Sequence, residues 1–139
     1  MRIEHAAIYV NDIEAEKEFF TRYFGASAGE MYHNKSTGFR SYFLSFDGGA
    51  RLELMTAPGL QNMDRPTLRT GFAHLAFSAG SRVEVDALTE RLRMDGYAVV
   101  SGPRVTGDGY YESCVLDAEG NRIYKTEGVK PEGPASNHF

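Results

Sequence analysis

Residues 3–10 read IEHAAIYV, and residues 72–78 read FAHLAFS. In both, apolar side chains recur at alternate positions around one histidine, the period of a β-strand. Each stretch is followed by a helical one. After the first, Asn11 and Asp12 are cap candidates for a periodic run over 13–24 that Gly25 closes. After the second, Ser81 with Glu84 three residues on is a capping-box signature, and Val85, Leu88 and Leu92 recur helically before Gly96. His5 precedes Gly25 by 20 residues and His74 precedes Gly96 by 22, so one strand–helix unit repeats at matched offsets from a histidine.

β-formers fill the remainder of each half. Residues 40–46 lead through Asp47, Gly48 and Gly49 into 51–55, and residues 110–116 lead through a longer turn, 117–121, into 122–126; both are hairpin patterns in which glycine supplies positive φ. Weaker strand signals lie at 29–33 and 97–101. The expected fold class is therefore α+β, two tandem βαβββ modules at 1–56 and 72–128 within one domain of 1–128. Residues 57–71 hold Pro58, Gly59 and Pro66 without periodicity, which reads as a linker able to act as a lid. Residues 129–139 are polar and rich in Pro and Gly, the composition of a mobile tail.

Composition narrows the function classes. A chain of 139 residues suits one compact domain. No apolar run reaches the length of a membrane span, and Glu4 and His5 stand where a secretory signal needs its apolar stretch, so the expected location is cytoplasmic. Net charge is −4 and Lys and Arg are scattered rather than clustered, which argues against a nucleic-acid partner and for a small-molecule one. The single cysteine, Cys114, supports neither an internal disulfide nor a Cys-rich zinc site and reads as a buried small hydrophobe.

Alternation sorts the polar residues. A strand sends successive side chains to opposite faces, so His5 points away from Ala6 and Ile8, and His74 away from Leu75 and Phe77. By the same rule Glu53 lies opposite Leu52 and Leu54, and Tyr124 opposite Ile123. If helices cover the apolar face, then His5, Glu53, His74 and Tyr124 all project from the other one. Two imidazoles and a carboxylate suffice for three corners of a Zn, Ni, Co, Mn or Fe site. Any one of them alone reads as a satisfied core histidine or a rim carboxylate; at repeat-equivalent positions the joint metal reading is the better one.

With these residues in view, residues 1–128 resemble the glyoxalase/bleomycin resistance/dioxygenase (vicinal oxygen chelate) superfamily. The likeness is carried by His5 in IEHAAIYV, Glu53 in RLELM, His74 in FAHLAF and the segment GYYESCVLDAEGNRIYKTEG, and the glyoxalase I branch is the most similar. The resemblance implies a cupped mixed β-sheet with helices on its outer face. It further implies one divalent metal ion per site held by His5, Glu53, His74 and, as a departure, Tyr124, where the family pattern has Glu. It implies a lactoylglutathione lyase-like reaction, proton transfer through a metal-stabilised ene-diolate with Glu53 as the catalytic base, and a homodimer. A phenol with an ordinary pKa near 10 is a poorer anionic ligand than a carboxylate.

Two other readings stay open. Two His and one Glu also make the facial triad of a non-haem Fe(II) dioxygenase. A metal-free binding module of the bleomycin-resistance type would use Tyr9, Tyr42, Tyr110 and Tyr111 as stacking surface. Glu112 reads as an exposed strand carboxylate, with a pocket acid as the alternative. Lys125 and Arg122 read as solvent-facing, His33 as a surface residue and His138 as part of the tail.

Overall fold

The computed structural model describes residues 1–128; the expected tail at 129–139, with His138, lies outside the described residues. The chain divides into two compact units, Met1–Thr67 and Leu68–Phe139, with the division inside the 57–71 linker segment. The fold is α+β, as expected, with a βαβββ module and its own mixed sheet in each unit.

In the first unit, β1 (His5–Tyr9) leads into α1 (Ile13–Phe24). The helix starts there because the Asp12 carboxylate accepts from the backbone N–H of Ala15, a cap worth about 1 kcal/mol. It ends at Gly25, whose left-handed φ of 67° only glycine adopts without strain. β4 (Arg40–Ser45) and β5 (Arg51–Thr56) form the antiparallel hairpin, and β1 runs parallel to β5. The strand expected at 29–33 is broken into two short pieces on β4, β2 (Ser27–Ala28) and β3 (Tyr32–His33). Val10, Ile13, Phe20, Leu44, Leu52 and Leu54 are all but inaccessible to solvent and make the core under α1.

The second unit repeats the plan. β6 (His74–Ser78) leads into α2 (Arg82–Met94), whose N-cap Ser81 accepts from the N–H of Glu84. β7 (Val99–Val105), β8 (Tyr111–Leu116) and β9 (Arg122–Thr126) complete the sheet in the order β6-β9-β8-β7, with β6 parallel to β9. The register of β7 on β8 shifts between Ser101 and Arg104. Gly102 sits inside that shift at φ 76°, and a Cβ there would stand 2.5 Å from the Glu112 carbonyl oxygen.

Cys114 is fully buried, the small-hydrophobe reading. Two other expectations are corrected. Lys125 does not face solvent: it is completely buried. Alternation sets it on the Ile123 face, beneath α2, at the register position where β5 carries the buried Leu54. Arg122 is half-buried rather than exposed, on the opposite face with Tyr124.

Candidate functional site

The register within each sheet shows how far the repeat extends. His5 stands beside Arg51 and Ala7 beside Glu53; in the other unit His74 stands beside Arg122 and Ala76 beside Tyr124. On the adjoining strand Phe43 faces Glu53, and Cys114 faces Tyr124. Each histidine thus has an arginine level with it and a second donor two residues further along the central strand.

In the first unit the expected pair comes together. His5 Nε2 lies 3.8 Å from Glu53 Oε1, and the Glu53 side chain is only 16% exposed. Two donors each about 2.1 Å from one ion stand about 3.4 Å apart at tetrahedral corners, so the pair needs to close by only a few tenths of an ångström to fill two corners of a metal site. The other imidazole nitrogen, Nδ1, is 3.5 Å from Glu4 Oε1. A carboxylate behind a histidine fixes its tautomer and leaves the far nitrogen to ligate. Glu4 is in turn held by Arg51, through Nε at 2.9 Å and through Nη2, and this guanidinium keeps the Glu4 carboxyl below its usual range. Phe43 meets the His5 ring edge-on at 5.2 Å between centroids, with the Arg51 guanidinium 4.2 Å from the Phe43 ring centre. Glu4, Phe43 and Arg51 were not singled out from sequence, although alternation alone places Arg51 on the Glu53 face.

In the second unit His74 packs against Tyr124, ring centroids 4.4 Å apart and tilted by 49°. Burial, and then the adjacent Cys114 thiol, push the Tyr124 phenol above its ordinary range, so it stays protonated at neutral pH. That makes Tyr124 a hydrogen-bond donor before it is an anionic ligand. Burial likewise pushes the Cys114 thiol up. Glu112 is half-buried on the Cys114 face, and burial raises its carboxyl, so the pocket-acid alternative describes it better than an exposed strand carboxylate. Finding it needs the cross-strand register, Glu112 opposite Thr126, which no single-strand pattern contains.

Among the described residues of either unit, no three His, Cys, Asp or Glu side chains gather as a metal site by themselves. The donors fit as half-sets: His5 with Glu53 in one unit, and His74 with a protonated phenol in the other. Of the four tyrosines that a stacking pocket would use, Tyr42 is buried and donates to Glu14 at 2.6 Å, and Tyr111 donates to Asp86 on α2. Both are committed to the helix-covered faces. Tyr9 is exposed on the His5 face, and Tyr110 lies outside the strands.

A family profile described as Glyoxalase/Bleomycin resistance protein/Dioxygenase superfamily matches residues 2–124. The chain is 31% identical over 135 residues to the uncharacterized protein YqjT of Bacillus subtilis (strain 168), covering 93% of this chain and 98% of that one. Its fold is similar to the trypanothione-dependent glyoxalase I of Leishmania major, with a TM-score of 0.73 at 19% identity over 91% of this chain and 86% of that one. It is also similar to a glyoxalase family protein from Enterococcus faecalis, with a TM-score of 0.74 at 23% identity over 91% and 97% of the two chains. A glyoxalase family protein from Bacillus cereus gives 0.76 at 17% identity over 91% and 93%.

Proposed function

The chain belongs to the Glyoxalase/Bleomycin resistance protein/Dioxygenase superfamily, and from that premise we propose that it is a metal-dependent lyase or isomerase acting on a small substrate with adjacent oxygens. The observation that carries the reading is the His5–Glu53 pair at 3.8 Å, buttressed by Glu4 and repeated in position by His74 and Tyr124. His5, Glu53 and His74 hold one divalent ion, with donors from both half-sets drawn from one chain or from two copies in a cytoplasmic homodimer. Tyr124 lines the site as a neutral phenol.

The bound ion supplies Lewis-acid stabilisation of negative charge on the substrate's oxygens. The rest falls to the chain's own side chains. Glu53 takes a proton from one substrate carbon and returns it to the next, for which a little-exposed carboxylate on a supported strand is suited. Glu4 keeps His5 Nε2 turned toward Glu53. Phe43 meets the imidazole edge-on and restricts the turning of its ring.

The same three donors permit one second reading, against which Tyr124 stands on the final strand where the extradiol pattern has its carboxylate. Two His and one Glu without a fourth anionic ligand form the facial triad of a non-haem Fe(II) oxygenase. The metal-free binding module is the less favoured reading, because Tyr42 and Tyr111 are committed to the helices.

Full-length protein, stripped and reconstituted in turn with Zn, Ni, Co, Mn and Fe(II), is to be assayed on the hemithioacetal of methylglyoxal and on catechols. Turnover of the hemithioacetal that Glu53→Gln abolishes is the expected result. Oxygen-dependent ring cleavage with Fe(II) alone selects the second reading, and no activity with any metal contradicts both.

A further inference from the structure

The carboxylate behind His5 is itself held, and the residue that holds it closes a circuit. Glu4 Oε1 is a shared acceptor. Arg51 donates to it through Nε at 2.9 Å and through Nη2, and His5 Nδ1 lies 3.5 Å from the same oxygen. The same guanidinium lies 4.2 Å from the centre of the Phe43 ring, and that ring meets the His5 imidazole edge-on. Four side chains therefore form a closed ring of contacts, His5 to Glu4 to Arg51 to Phe43 and back to His5. Strand register builds it: β1 runs parallel to β5 with His5 beside Arg51, and Phe43 on β4 faces Glu53, the next residue on the same face of β5.

Fold stability does not account for the arrangement. The Glu4 side chain is 62% exposed and that of Arg51 40%, and an ion pair so open to solvent adds little to a fold. Its effect falls on the imidazole it touches. A carboxylate at Nδ1 keeps the neutral ring in the Nδ1–H form, which leaves Nε2, 3.8 Å from Glu53, as the lone-pair nitrogen. A glutamate without a partner at an exposed position samples many rotamers. Arg51 selects the one that reaches back to Nδ1. The second unit has no such circuit. Ala73 precedes His74 where Glu4 precedes His5, and Cys114 faces Tyr124 where Phe43 faces Glu53. Among the described residues His74 packs on the Tyr124 ring and has no ion pair.

We propose that Arg51 is a positioning residue of the metal centre: through Glu4 it fixes the Nδ1–H tautomer of His5, so that the first unit presents its donor pair ready-made while His74 is oriented only when the ion arrives. The inference rests on the metal reading above for the use of Nε2. It goes beyond that reading in assigning Arg51, which is not itself a ligand.

The test is long-range proton–nitrogen correlation NMR of metal-free, full-length protein labelled at the histidine nitrogens, at about pH 8, above the ordinary imidazole pKa. Zn(II) affinity is measured in parallel by competition with a chelator. The His5 signal, assigned by its loss in His5→Ala, is expected in the Nδ1–H form alone, and that of His74 in both forms. Arg51→Gln should mix the His5 tautomers and weaken Zn(II) binding about 10–100-fold, the scale of losing a partner behind a metal-bound histidine. Arg51→Lys, which keeps the charge without the fork, should restore part of both. Glu4→Ala should match Arg51→Gln, and the double variant should lose no more than either single one, because the two residues act as one unit. A wild-type His5 that populates both tautomers overturns the proposal. So does Zn(II) binding that is unchanged in Arg51→Gln, or that weakens there while the His5 tautomer stays fixed, and so does a double variant whose losses add. Tautomers that mix in Arg51→Gln, in a protein that takes up no Zn(II), support the hold of Arg51 on His5 and overturn the metal reading instead. If Arg51→Gln does not fold, Arg51→Lys decides by the same criteria, with smaller expected losses.

Discussion

Replacing Lys125 with methionine is expected to stabilise the protein at neutral pH. The Lys125 side chain is completely buried beneath α2, and Nζ has no hydrogen-bond partner. Its ladder neighbour on β8 is Ser113, whose hydroxyl is shared with Thr89 at 2.6 Å. Burial lowers the Lys125 pKa from 10.5 to about 8. A drop of about 2.5 units corresponds to about 3 kcal/mol of cost for the charged amine in the fold at pH 7. The sign follows from proton counting. Between about pH 8 and 10.5 the unfolded chain binds the proton and the folded one does not, so stability rises with pH across that window. The contribution is fully present above 10.5 and is lost as pH falls toward 8. Methionine fills similar space without the charge, as Leu54 does at the equivalent position of β5. Urea unfolding followed by circular dichroism should place Lys125→Met about 3 kcal/mol above the wild type at pH 7. With a slope of about 2 kcal/mol per molar urea, the midpoint shifts by about 1.5 M. The gap should narrow progressively between pH 8 and 10.5. A variant no more stable than wild type at pH 7, or a gap independent of pH, would refute the reasoning.

Other outcomes follow from single contacts. Gly102→Ala should destabilise by about 1–3 kcal/mol in thermal unfolding, because its φ of 76° is left-handed and the new Cβ would meet the Glu112 carbonyl oxygen. Asp12→Ala, which removes the acceptor for the Ala15 N–H, should cost about 1 kcal/mol, and Asp12→Asn should recover most of it. The Cys114 thiol, fully buried and pushed to higher pKa by burial, should react with a disulfide reagent only at the rate of unfolding. Prompt modification of the native protein would contradict its placement.

Much of this was legible in the sequence because two periodicities carried it. Alternation around His5 and His74 assigned the strand faces, and the Asp12 and Ser81 caps with Gly25 bounded the helices. What was missed depended on partners far along the chain. Lys125 is instructive: alternation puts it on the buried face of Ile123, yet its charge reads as solvent-facing. The structure follows the alternation, because a five-residue strand between two ladders cannot turn one side chain around without breaking its register. The strand expected at 29–33 fails for a local reason. Gly29 interrupts it with one hydrogen bond to the Phe43 carbonyl, and the pairing resumes only at Tyr32. The Glu4–Arg51 buttress and the Glu112 position needed the cross-strand register, which no single segment encodes. Tyr124 was recognisable as a departure from the family pattern, but its protonation depends on burial beside Cys114.

The central claim, one divalent ion held by His5, Glu53 and His74, is tested most directly by elemental analysis of full-length protein dialysed after loading with Zn(II). Wild type should retain about one equivalent per chain, whereas His5→Ala, Glu53→Gln and His74→Ala should each lose it while keeping their circular dichroism spectra. Undiminished metal in His74→Ala would contradict the account.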